Sequence, residues 1–158
     1  MQPRLDLSKF HGEPHRALLA LEKYVHESGF EPKLIELMKM RASQINGCAY
    51  CLDMHSKDAR ALGETEQRLY ALNAWRETPF FSDTVRAALE WTEAVTLVSE
   101  THVPDDVYER VREFFDEKKL LDLTLIVATI NVWNRLAISF RAVPGAYQPR
   151  AASTSASS

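Results

Sequence analysis

The chain has 158 residues, of which 46% are hydrophobic and 26% charged, with a formal net charge of −3. This suits a single soluble domain that buries a real core, and the lack of any dominant basic face argues against a nucleic-acid partner. Residues 1–16, MQPRLDLSKFHGEPHR, lack the apolar run of a signal peptide, so the expected setting is the reducing cytoplasm.

Helix signals recur along the chain, and no alternating strand pattern is found. Pro14 opens a first helix to about Ser28, ended by Gly29, with Leu18, Leu21 and Val25 at three-and-four spacing. A second runs from Pro32 to about Asn46, with Leu34, Leu37, Met38 and Ile45 on its apolar side, and Asn46–Gly47 marks a turn. A third covers Cys48 to Leu62 and closes at Gly63. Thr65 caps a short helix through Trp75. Ser82 caps a helix over 83–100, with Leu89, Val95 and Val98 inward. Pro104 opens another through about Lys118, a solvated face with Val107, Val111, Phe114 and Phe115 beneath. The last helix spans about Leu121 to Ala142 and stops before Pro144–Gly145. It contains Asp122, Asn131, Asn134 and Arg135, so it reads as a buried helix rather than a membrane span, and no membrane partner is expected. The expectation is an all-α fold, a single compact domain of about seven helices. Residues 1–12 form an N-terminal arm in which Leu5, Leu7 and Phe10 can pack on a neighbour. The domain covers 13–147, and 148–158 is a flexible tail.

Both cysteines lie in NGCAYCLDMH, residues 46–55. If Cys48 begins the third helix, Cys51 lies about 60° from it and His55 about 20°, so all three share one face. Cys51 and His55 are an i,i+4 pair within hydrogen-bond reach. Cys48 meets the free N–H groups and dipole of the helix start, which favour a thiolate. The second and third helices form an antiparallel hairpin about Gly47, which brings Glu36 beside His55. A carboxylate there fixes the imidazole tautomer or accepts its proton. The pattern Glu-x11-Cys-x2-Cys-x3-His therefore assembles a dithiol, a base and an orienting acid.

These four residues, with the flanks MRASQINGCAYCLDMHSKDARALGETEQRL and INVWNRLAIS, resemble the AhpD-like alkylhydroperoxidases of the carboxymuconolactone decarboxylase superfamily, over roughly residues 15–145. The resemblance implies an AhpD-like helical fold with the CxxC at the N-terminus of a core helix. It also implies thiol-dependent reduction of hydroperoxides and obligate homo-oligomers, trimers or hexamers built as trimers of dimers. By position, Cys51 is then the attacking thiol, His55 its base, Cys48 the resolving thiol and Glu36 the end of the proton relay. No cofactor is implied. The disulfide so formed needs an external dithiol reductant, and family members often pair with lipoyl-bearing proteins or peroxiredoxins. One departure stands out: the mycobacterial type has a histidine between the cysteines where this chain has Tyr50, a possible pocket residue that cannot shuttle protons near neutral pH. The decarboxylase branch lacks the CxxC pair, so its reaction is the weaker carry-over.

Two other readings compete. Cys48, Cys51, His55 and Glu36 are all zinc-ligand types, but three from one helix is an unusual set, and no metal is expected. The alternative to an enzyme is a non-catalytic oligomer that uses the dithiol as a redox sensor or metal-binding module. His11, His15, His26 and His102 read as surface residues. Trp75, Trp91 and Trp133 read as core or interface, and the polar members of Trp133–Asn134–Arg135 as ties from the last helix to a neighbour or pocket.

Overall fold

The computed structural model describes residues 2–6, 9 and 12–149; Leu7, Phe10, His11 and residues 150–158, on which part of the arm and tail expectations fall, lie outside them. Among the described residues there are nine helices and no strand. They are α1 (Glu13–Glu27), α2 (Pro32–Asn46), α3 (Ala49–Ala61), α4 (Glu66–Tyr70), a 3₁₀ helix (Leu72–Glu77), α5 (Asp83–Thr96), α6 (Val98–Thr101), α7 (Asp105–Arg112) and α8 (Glu117–Phe140).

The axis of the fold is α2. Every residue from Leu34 to Met40 is buried, including Glu36 and Lys39, so the helix is enclosed on all sides. It packs on α3, α5 and α8. On one side, Val25, Leu34, Ile35 and Met38 meet Ala88, Trp91, Val111, Phe115, Leu123 and Ile126. On another, Leu37 and Met40 meet Leu69, Leu72, Trp75 and Leu89.

Several boundaries differ from the sequence expectation, each for a local reason. The 83–100 helix breaks at Leu97, where α5 ends. Val98 therefore lies outside the α5 repeat and is 51% exposed, while Leu89 is fully buried and Val95 packs partly buried on the core. The segment after Thr65 tightens into the 3₁₀ helix at Leu72, so one expected helix is two. The helix opened by Pro104 stops at Arg112, not Lys118, because Asp116 caps a new start: its carboxylate accepts the Lys119 N–H at 2.8 Å. Hence α8 begins four residues before the expected Leu121 and ends at Phe140, short of Ala142. Of the two phenylalanines placed beneath that surface, Phe115 is buried and Phe114 is 39% exposed.

α8 is long and apolar enough to cross a bilayer by length and composition alone. Its polar residues show what it does instead. Asp122 is fully buried at its side chain and accepts from Tyr24 on α1 and from Lys118, both at 2.8 Å. Asn46 donates to Asn131 at 3.0 Å and to Asn134 at 2.8 Å. Asn134 in turn donates to Ser43 at 3.0 Å, and Asn131 to Thr96. Buried polar groups of a core helix satisfied by neighbouring helices pin the end of α2 against α8. Before α1, the Arg4 N–H donates to the Phe140 carbonyl at 2.9 Å, so the chain start crosses the end of α8.

Candidate active site

The turn between α2 and α3 is made by two residues. Gly47 adopts φ 69°, a left-handed conformation that favours glycine, and ends α2. Cys48 follows, and its N–H donates to the Ser43 carbonyl at 3.0 Å, the long bond of a Schellman motif. The same Cys48 is the N-cap of α3, its sulfur accepting the Cys51 N–H at 3.3 Å. One residue thus closes one helix and opens the next, which fixes where both sulfurs stand. Cys48 and Cys51 are joined as a disulfide across a Cα–Cα distance of 5.3 Å.

Behind the disulfide lies the expected hairpin pair. His55 Nδ1 and Glu36 Oε2 are 2.7 Å apart, and both side chains are almost wholly buried. Burial pushes the Glu36 carboxyl up, but its hydrogen bond to His55 and the nearby charges of His55, Lys39 and His26 outweigh that and hold it below its ordinary value. Glu36 is therefore an anion that only accepts, so Nδ1 carries a proton, and in the neutral imidazole Nε2 is the atom that presents the lone pair. Nε2 is buried without a hydrogen-bond partner. While Cys51 is tied to Cys48, no direct hydrogen bond joins it to His55.

Three residues of this neighbourhood carried no sequence expectation. Lys39, one turn beyond Glu36, is 1% exposed, and its ammonium donates to both Glu22 oxygens at 2.8 and 2.9 Å. Asp58, one turn beyond His55, offers an oxygen to the same cluster: ligand-type atoms of Glu36, His55 and Asp58 lie within 4.8 Å of one another. The set is spaced to share a cation, yet its members are engaged otherwise, Glu36 by His55 and Asp58 by Tyr147, whose hydroxyl donates to its carboxylate at 2.7 Å. Burial first, and then the charge of Glu36, push the Asp58 carboxyl up, against the Tyr147 hydrogen bond. An i+3 spacing from His55 was the available signal for Asp58. Nothing in the sequence announced Tyr147, which is 89 residues away.

Two clefts with separate linings adjoin the site. One of about 160 Å³ adjoins Cys48 and is lined by Gly47, Tyr50, Ile138 and Arg141; this is where Tyr50 stands, half-buried. The other, about 330 Å³, adjoins Glu36 and Asp58 and is bordered by His26, Leu62 and Tyr147. His26, read as a surface residue, is exposed and lines this second cleft. His102 is exposed in the left-handed cap of α6. Trp75 and Trp91 are core. Asn134 and Arg135 tie α8 to α2 and to Asn131.

The family model for carboxymuconolactone decarboxylases matches residues 13–94. An uncharacterised Bacillus subtilis protein, YdfG, is 46% identical over 139 residues, which span 88% of this chain and 95% of its own length. A crystal structure of an Agrobacterium tumefaciens protein of unknown function, proposed there as the antioxidant defence protein AhpD, superposes with a TM-score of 0.88 at 41% identity, covering 92% of this chain and all of that one. The debrominase Bmp8 superposes at 0.75 with 20% identity, covering 83% of this chain and 70% of its own, a likeness of fold alone.

Proposed function

The chain belongs to the carboxymuconolactone decarboxylase family, and from that premise we propose that it is an AhpD-type, CxxC-dependent peroxidase that reduces hydroperoxides through the Cys48–Cys51 disulfide. The observation that carries the reading is the buried Glu36–His55 pair, which leaves Nε2 without a hydrogen-bond partner one helical turn beyond a cysteine pair that closes on itself.

In the reduced form, Nε2 takes the Cys51 proton. The thiolate attacks the terminal oxygen of R–O–OH, the O–O bond breaks, and the electron pair leaves on the alkoxide. His55 returns its proton to give the alcohol, and Cys51 becomes a sulfenic acid. The Cys48 sulfur then displaces hydroxide from Cys51, which departs as water with the Cys48 proton, and the disulfide forms. Two thiols are oxidised and one peroxide is reduced, with no cofactor. An external dithiol restores the thiols by attack on Cys48, the sulfur that adjoins a cleft, with Cys51 as leaving group. A lipoyl group or the redox-active thiols of a peroxiredoxin have this chemistry.

Steady-state assay with hydrogen peroxide or cumene hydroperoxide and excess dithiothreitol tests the reading. Sustained turnover by the wild type and its loss in Cys51→Ser are expected. A single oxidation per chain that then stops would mark a redox sensor instead and overturn the enzymatic reading.

A further inference from the structure

The Glu36–His55 pair is almost wholly buried and its Nε2 has no hydrogen-bond partner, so a proton that it exchanges with solvent needs a group that reaches both. Four groups besides the pair face this region: Lys39 from α2, already neutralised by Glu22; His26 from α1; Asp58 from α3; and Tyr147 from the C-terminal segment. Of these, only Asp58 combines a carboxylate within 4.8 Å of both Glu36 and His55 with a place on the wall of a solvent-reaching cleft. A gap of that size is spanned by one bridging water.

We propose that Asp58 is the proton carrier joining the buried Glu36–His55 pair to solvent, through the cleft bordered by Tyr147. The assignment of a role in turnover rests on the peroxidase reading; the connection itself is a property of the folded chain. Its balance is simple. Outward, the Cys51 proton moves to Nε2, the Nδ1 proton moves to Glu36, and Glu36 passes one proton to Asp58, leaving a thiolate, a neutral imidazole and a neutral carboxyl. Inward, the reverse steps protonate the departing alkoxide. The two carboxyls suit these parts because their environments shift them in opposite directions, Glu36 down and Asp58 up, which favours passing a proton outward.

The C-terminal segment holds the carrier in place. Asp53 accepts the Gly145 N–H at 3.0 Å, and Lys57 donates to the Gly145 and Tyr147 carbonyls at 3.3 and 3.0 Å. Together with the Tyr147–Asp58 bond, these contacts strap residues 145–147 along the outer face of α3, beside the cleft.

The test uses the intact protein labelled with ¹⁵N at its five histidines. Exchange of the His55 Nδ1 proton with water is followed by magnetisation transfer. Asp58→Asn should slow it about tenfold or more, Asp58→Glu should keep it near the wild-type rate, and sodium formate should restore it in the Asn variant alone, a rescue that a merely structural role does not give. Wild-type exchange should level off with rising pH once Asp58 is ionised, a measurement that needs no variant. An Asn variant as fast as wild type, slowing that formate does not relieve, or a wild-type rate that climbs tenfold per pH unit throughout overturns the proposal. Peroxide turnover on the same samples keeps the two readings apart: a wild type without turnover sinks the peroxidase assignment and leaves the exchange result standing.

Discussion

At the residue scale, His55 is defined by what holds its other nitrogen. With Nδ1 committed to Glu36, only Nε2 can serve as a base. In the reduced protein, His55→Ala should therefore move the alkylation profile of Cys51 up toward the free-thiol value of about 8.5. Glu36→Gln should shift it in the same direction by less, because it acts through the imidazole. Iodoacetamide rates against pH measure both, and an unchanged profile removes His55 from the mechanism. Glu36 also leaves a mark on stability. Its carboxyl is held below its unfolded value, so it contributes stability that is fully present above about pH 4.5 and is lost as pH falls through the folded value. Asp58 has the opposite sign: raised in the fold, its ionisation costs stability as pH rises. Urea midpoints between pH 3 and 7 should fall more steeply toward acid for the wild type than for Glu36→Gln. For Asp58→Asn, the variant should gain on the wild type as pH increases.

At the element scale, the site depends on Cys48 as a helix cap as well as a thiol. Under reducing conditions, Cys48→Ser should keep the cap, since a hydroxyl also accepts the Cys51 N–H, whereas Cys48→Ala should destabilise by about 1 kcal/mol. Thermal denaturation with dithiothreitol present compares the two, and equal stability would show that the sulfur's acceptor role carries no weight. The starts of α1, α2, α4 and α5 were legible because Pro14, Pro32, Thr65 and Ser82 are strong punctuation. The start of α8 was not. Asp116 is the one N-cap type in Phe114–Lys119, but the charged residues 116–119 also read as the continuing solvated face of the helix before them, and the break is made where Phe115 and Leu120 are buried. The break at Leu97 is likewise tertiary, for no glycine or proline marks it. The Glu36–His55 contact was readable because a hairpin turn at Gly47 leaves few registers. Asp58–Tyr147 was not, because that bond depends on where an irregular segment lands after α8 ends.

At the scale of the whole molecule, α8 sets the assembly question. Its inner face is spent on α2 and α5, and its buried Asp122, Asn131 and Asn134 are satisfied within the chain. Its outer face keeps Leu121 58%, Val132 36% and Ile138 45% exposed, and Val143 follows at 47%. On α1, Leu19 and Tyr24 are 48% and 43% exposed, and Tyr24 is tied to α8 through Asp122. Large apolar residues recurring along two helices linked in this way are more than scattered surface leucines, and closed symmetry is the ordinary way such faces are covered. The expected state is therefore a homo-oligomer, which the family resemblance narrows to a trimer or a hexamer made of two trimers, whose interfaces centre on these residues and each bury about 2,000 Å² or more. Its stability then depends on protein concentration. Gel filtration with light scattering should give three or six times the 18.0 kDa chain mass at micromolar concentration. Leu121→Lys, on the outer face of α8 and on the wall of neither cleft, should lower that mass while leaving helical content by circular dichroism within a few per cent of wild type. A wild type that elutes at the mass of one chain with full helical content would show that these faces stay in water and that the assembly expectation is wrong.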